Sequence, residues 1–169
     1  MKRNFILIAV MVFSSLVAHA QKMGYVNLQE IYVQLPEIKQ ANSDLDVMKD
    51  MFKKKGEEMV RQLQIKYQEF QQKQAKGELS PIEAEKQAND LKAEEQKIME
   101  FDQTSQKTMV SKSEELLAPI HEKVEKAIKD VAAENQFLYI FDSSQGLVLY
   151  ADSTANVTSL VKAKLGIKE

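Results

Sequence analysis

The residue types that carry most enzyme chemistry are scarce in this chain. Among 169 residues, histidine stands only at His19 and His121, and there is no cysteine. Proton transfer near neutral pH falls most often to histidine, and thiol nucleophiles or thiolate metal sites need cysteine. His121 sits beside Ile120 in a stretch with helical spacing, where a lone imidazole reads as a surface or packing residue. Asp142-Ser143-Ser144 sets hydroxyls beside a carboxylate, but with Gln145-Gly146 the run is turn chemistry next to a strand. Glycine-rich phosphate loops and the carboxylate–glycine pattern of calcium loops are missing. Asn156-Val157-Thr158 matches a glycosylation acceptor, and a helix N-cap explains it fully. The expectation is a protein that is not an enzyme, with no catalytic residues, no metal and no cofactor.

What the chain does carry is a supply of weak, adaptable contacts. Met48, Met51, Met59, Met99 and Met109 all fall in its long middle, and six glutamines crowd residues 62–74. Methionine is flexible and polarizable and suits surfaces that meet many partners. The candidate contact face is Met48, Met51, Phe52, Met59, Leu63, Tyr67 and Phe70, facing Leu91, Ile98 and Phe101. Part of this set must instead fill the seam between helices, and spacing alone does not separate the two.

The elements that would position these residues are long helices. Ile31, Leu35, Ile38, Ala41, Leu45, Met48 and Phe52 follow at steps of three and four, a heptad-like stripe. Lys55 takes the next seam position, then Met59, Leu63, Tyr67 and Phe70, so the phase slips at Lys55-Gly56. Pro36 opens the long helix and leaves Leu28–Gln34 as a short one. Gly77 suits a helix end, and Ser80-Pro81 with Glu83 form a capping box for a second, antiparallel helix to about Asn135. Its distal seam is thin and Asp102–Thr108 nearly all polar; Val110, Leu117, Val124 and Val131 then repeat every seven, with Ile120 and Ala127 offset. Pro119 falls within that run and predicts a kink near Glu115. Residues 53–76 hold seven basic and three acidic side chains, residues 78–100 seven acidic and three basic, so the two arm segments are complementary in charge.

The two ends of the chain read differently. Residues 1–20 have a basic start, an apolar run of about thirteen residues and small residues at Ala18 and Ala20: a secretory signal cleaved after Ala20, too short for the ~20 residues of a membrane span. Without Lys2 and Arg3, 21 basic and 25 acidic side chains leave a net charge of −4, a poor match for a nucleic-acid binder. Strands are expected at Met23–Asn27, Leu138–Phe141 and Leu147–Tyr150, then a last helix capped by Asn156. The two later strands are apolar on both faces and need cover that one chain does not hold, which predicts an obligate homo-oligomer. Tyr25, Val26, Leu138, Ile140, Val148 and Tyr150 are the candidate oligomeric body. The domain reading is a signal at 1–20, a body from 21–36 and 113–169, and a helical-hairpin arm over 37–112 with its tip near 77–81.

Gly24-Tyr25-Val26-Asn27, then Leu28-Gln29-Glu30-Ile31-Tyr32-Val33-Gln34-Leu35-Pro36-Glu37, a charged hairpin, and Tyr150-Ala151-Asp152-Ser153-Thr154-Ala155-Asn156-Val157-Thr158 together resemble the Skp/OmpH family of periplasmic chaperones. The resemblance spans essentially all of the mature chain. It implies a mostly α fold with a small β body, in which three copies pool strands into a trimeric β-barrel core and long hairpins project in a jellyfish-like arrangement. It implies an ATP-independent periplasmic holdase that binds unfolded outer-membrane proteins, with no stable membrane insertion after signal cleavage. The acidic balance departs from the strongly basic members of the family, so no lipopolysaccharide or anionic-membrane site is carried over. The alternative is a structural coiled-coil adaptor or spacer of the cell envelope.

Overall fold

The computed structural model describes residues 22–167; the expected signal segment lies outside them. In chain order the elements are β1 (Met23–Val26), α1 (Leu28–Gln34), α2 (Pro36–Ala75), α3 (Pro81–Asn135), β2 (Tyr139–Asp142), a 3-10 turn (Ser153–Ala155) and α4 (Thr158–Lys164). Contacts divide them into a body unit, residues 22–34 with 123–167, and an arm unit, residues 35–122. In this division the chain returns to the body unit at Lys123. No helix of the described residues is long and apolar enough to cross a membrane.

In the arm, Pro36 occupies the first turn of α2, where its missing N–H leaves no bond unmade. Helix α2 ends in a Schellman motif: Gly77 at φ +68° lets its own N–H reach Gln74 O at 3.1 Å and the Glu78 N–H reach Lys73 O at 3.0 Å. The capping box then starts α3. The Glu83 N–H donates to Ser80 Oγ at 3.3 Å, while the Ser80 N–H and hydroxyl donate to the Glu83 carboxylate at 2.9 and 2.6 Å. These bonds hold the Glu83 carboxyl below its ordinary value, the Ser80 hydroxyl contributing most. Helix α3 runs on through Pro119.

In the body, β1 and β2 pair in parallel, Met23 opposite Tyr139 through Val26 opposite Asp142. On the far side of β1, Tyr25 bridges to Asn156, and the Val157 N–H donates to Tyr25 O at 2.9 Å. The body core gathers Val26, Ile31, Val124, Ala127, Val131, Val157 and Val161. Buried Lys162 is neutralised by an ion pair with Glu30. Helix α3 ends in a second Schellman motif with Gln136 at φ +59°, and Gly166 at +74° supplies a third after α4. Lys22 lies 4.2 Å from the centroid of the Phe137 ring and donates to Asn135 O at 3.0 Å.

Two sequence expectations change here. Leu147–Tyr150 forms no strand. Both edges of β1 are engaged, by β2 and by the Asn156 bridge, so the segment finds no ladder partner on β1. The last helix begins at Thr158, one residue beyond the start that an Asn156 cap implies, after a 3-10 turn that spacing did not reveal. Asp152 starts that turn by accepting the Thr154 N–H and hydroxyl at 2.9 and 2.7 Å. Asn156 accepts the Thr158 N–H at 2.9 Å, and Thr158 Oγ1 accepts the Asn27 N–H at 3.0 Å, so both polar residues of the glycosylation pattern hold backbone.

Candidate functional site

The arm seam shows which apolar side chains hold the hairpin together and which are left outside. On α2 the inward positions are Ile38, Ala41, Leu45, Met48, Phe52, Gly56, Met59, Leu63 and Phe70, each buried or half-buried. Gly56 holds the seam position assigned to Lys55, which is exposed. The step from Phe52 to Gly56 is four residues, so the stripe follows the 3.6-residue helix instead of a strict heptad. On α3, Leu91, Ile98, Phe101, Ser105 and Met109 face inward, whereas Val110 is exposed. Of the seven-residue repeat, Leu117 is half-buried and Val124 and Val131 are buried, so its first member alone, Val110, falls outside.

Of the ten candidate contact residues, Met48, Phe52, Met59, Leu63, Phe70, Leu91, Ile98 and Phe101 belong to this seam. Met51 is exposed and Tyr67 is just beyond half-buried. Val47, Val60, Ile65, Ile82, Met99 and Val110 are exposed apolar residues that the sequence-based set did not include. Their signal was available: each lies one or two positions off the stripe, where a polar residue is the usual choice.

The middle of the seam is open. Phe52 and Phe101 meet edge to face, 6.0 Å between ring centroids and 78° between planes. Gly56 stands beside the pair, and a Cβ there would lie 3.7 Å from the Phe101 ring, an ordinary contact. Beside the pair lies a cleft of about 680 Å³, walled by Phe52, Gly56, Val60, Ile98, Phe101, Ser105, Met109 and Val110, with Lys49, Lys53, Asp102 and Gln106 completing its lining. Ser105 Oγ is buried and, among the described residues, is the side-chain oxygen without a hydrogen-bond partner.

Nearer the tip, polar pairs flank the seam. Lys66 pairs with Glu94 across the helices, and the Tyr67 hydroxyl donates to Glu95 at 3.0 Å. The Glu95 carboxylate pushes the Tyr67 phenol above its usual value, first through the hydrogen bond and then through its charge. The complementary charge of the two arm segments is thus expressed in the Lys66–Glu94 ion pair, with the Tyr67–Glu95 hydrogen bond beside it. Exposed pairs of this kind are worth about 0–1 kcal/mol, so they set register more than stability.

The residues that suggested enzyme chemistry are occupied otherwise. Asp142 accepts the Ser144 N–H and hydroxyl, both at 2.8 Å, and the Ser143 hydroxyl donates to Val26 O at 3.2 Å. His121 lies exposed on α3. Among the described residues no group of three or more acidic or histidine side chains comes together as a metal site.

The body presents apolar surface of its own. Leu147, Leu149 and Tyr150 are 82%, 96% and 87% exposed, and Met23, Leu138, Tyr139 and Phe141 are also largely open. Tyr139 and Phe141 stack on one face of β2, with centroids 6.2 Å apart. Of the six candidate body residues, Val26 is buried, Tyr25, Ile140 and Val148 are half-buried, and Leu138 and Tyr150 are exposed.

No curated protein matches the chain. A family model described as "Outer membrane protein (OmpH-like)" matches residues 22–165, which takes in β1, the whole helical hairpin, β2 and α4. With most of its length inside that match and its two long helices joined to a small sheet, the chain belongs to the OmpH-like family, a family of periplasmic chaperones of outer-membrane proteins rather than of enzymes.

Proposed function

We propose that the mature protein is an ATP-independent holdase of the periplasm that binds unfolded outer-membrane proteins and keeps them from aggregating. The observation that carries this reading is the row of apolar side chains left outside the arm seam: Val47, Met51, Val60, Ile65, Met99 and Val110. A spacer helix gains nothing from exposed valine, isoleucine and methionine, whereas a holdase needs them. Unfolded membrane strands alternate apolar and polar residues, and their danger is pairing with one another. Scattered apolar contacts of small area hold such segments weakly and release them without a chemical step.

The body fits the same reading. Leu147, Leu149 and Tyr150 have no cover in one chain, and pooling them with β2 of neighbouring copies supplies it. The oligomer is a homotrimer in this proposal, as in the family the chain resembles, and Tyr25, Val26, Leu138, Ile140, Val148 and Tyr150 line its body. Residues 1–20 direct export and are removed.

The direct test dilutes a urea-unfolded outer-membrane β-barrel protein into buffer with and without the mature protein. A stoichiometric excess is expected to abolish the rise in light scattering without nucleotide. Scattering unchanged by the excess would refute the holdase reading.

A further inference from the structure

The cleft beside Phe52 and Phe101 is poorly explained as a means of joining two helices. Valine or alanine at position 105 would serve the seam without stranding a hydroxyl, and a buried oxygen without a partner is unfavourable. We propose that this cleft is a subsite for a tyrosine or tryptophan side chain of the bound client, an inference that rests on the holdase reading above.

Three features select that occupant. The walls are aromatic and thioether surface, Phe52, Phe101 and Met109, which favour a flat ring through edge-to-face and sulfur contacts. Ser105 Oγ asks for one hydrogen-bonding atom on an otherwise apolar body: an indole N–H donates to it, and a phenol donates or accepts. Lys49 and Lys53 border the cleft, and an ammonium is attracted to the electron-rich face of a tryptophan or tyrosine ring. Phenylalanine or leucine would fill the volume and leave the hydroxyl stranded. An arginine or lysine would meet two ammonium groups, Lys49 and Lys53, against the one carboxylate of Asp102. Ser105 Oγ is closed to solvent in the free arm, so a ring reaches it only when the cleft wall repacks, and the unbranched Met109 side chain is the wall residue best able to do so. Outer-membrane strands carry such rings in girdles at both membrane interfaces, so each client offers many.

The chain contains no tryptophan, so all indole emission in a mixture belongs to the probe. The probes are three ten-residue peptides of alternating valine and serine, identical except for a central tryptophan, tyrosine or phenylalanine, each with an N-terminal dye for anisotropy. The full mature protein is expected to bind the tryptophan and tyrosine peptides roughly two- to ten-fold more tightly than the phenylalanine peptide, the worth of one hydrogen bond. Indole emission should shift to the blue on binding. Ser105→Val is expected to erase the preference, so that the three peptides bind it alike. Equal binding of all three peptides by the unsubstituted protein, no binding of any, or a preference that survives Ser105→Val overturns the subsite. The first comparison needs no variant, so a poorly folding Ser105→Val protein does not shelter the proposal. A protein that suppresses scattering of the unfolded barrel yet shows no ring preference loses the subsite and keeps the holdase reading; one that fails to suppress scattering loses the holdase reading itself.

Discussion

Single residues carry most of the local punctuation of this chain, and two of them have measurable consequences. Gln136 closes α3 at φ +59°, in the left-handed region that disfavours residues with a Cβ, whereas the equivalent positions after α2 and α4 are Gly77 and Gly166. Gln136→Gly is expected to stabilise the body by about 0.5–1 kcal/mol, the relief of strain exceeding the added freedom of the unfolded chain. A rise in the urea midpoint at unchanged slope checks it. Glu83 is the second case. Its carboxyl lies below its ordinary value because the Ser80 hydroxyl and N–H stabilise the charged form. The folded state therefore binds the proton less readily than the unfolded chain, and the contribution is fully present above the unfolded value. It is lost as pH falls through the lowered folded value. Glu83→Gln is expected to make arm helicity less sensitive to acid over that window, read by circular dichroism from neutral pH downward. An acid limb identical to that of the parent would contradict the capping-box account.

Among the elements, the α2–α3 seam decides how firmly the hairpin is held. Gly56 looks from the sequence like a weak point in a long helix, and a mid-helix glycine does cost roughly 1 kcal/mol relative to alanine. In the folded arm the Phe101 ring is what a side chain at this position would meet. A methyl group at position 56 would meet that ring at 3.7 Å, an ordinary contact. Gly56→Ala is therefore expected to raise arm stability by about 0.5–1 kcal/mol, seen as a higher thermal midpoint. Phe101→Ala should act in the opposite sense by about 2–3 kcal/mol, less than for a fully buried ring because Phe101 is half-exposed. If Gly56→Ala destabilised instead, the seam would be tighter around Phe101 than the geometry shows.

For the molecule as a whole, the exposed apolar residues of the body are the dominant unsolved cost of a lone chain. Leu149 is almost fully exposed and Leu147 and Tyr150 nearly so, and none packs against β2 within its own chain. If copies cover one another there, Leu149→Glu with Tyr150→Lys is expected to leave α3 and α4 folded and to reduce the sedimentation coefficient to that of a single chain. The same variant should lose holdase activity at low concentration, because contacts from several arms on one client multiply their effect through proximity. An assembly of unchanged size would show that this segment is not the interface.

The helical hairpin, its breaks and its caps were legible in the amino-acid sequence because each obeys a rule confined to a few neighbours. Pro36 at a first turn, Gly77 past a helix end and Ser80 with Glu83 at a start need only the local backbone to act. Past Phe52 the seam was legible only in part: Met59, Leu63 and Phe70 are inward as their spacing implied, but single positions shift. There the inward stripe passes to Gly56, Ser105 and Met109 instead of Lys55 and Val110, and only a facing helix decides which phase is buried. The segment Leu147–Tyr150 was misread for a related reason. Its residues favour a strand, but a strand exists only where another supplies the hydrogen bonds; β1 has both edges engaged, and the segment does not pair with the outer edge of β2. Local chemistry thus determined where the helices start and stop, whereas burial and pairing depend on surfaces brought together from distant parts of the chain, and tertiary structure alone could assign them.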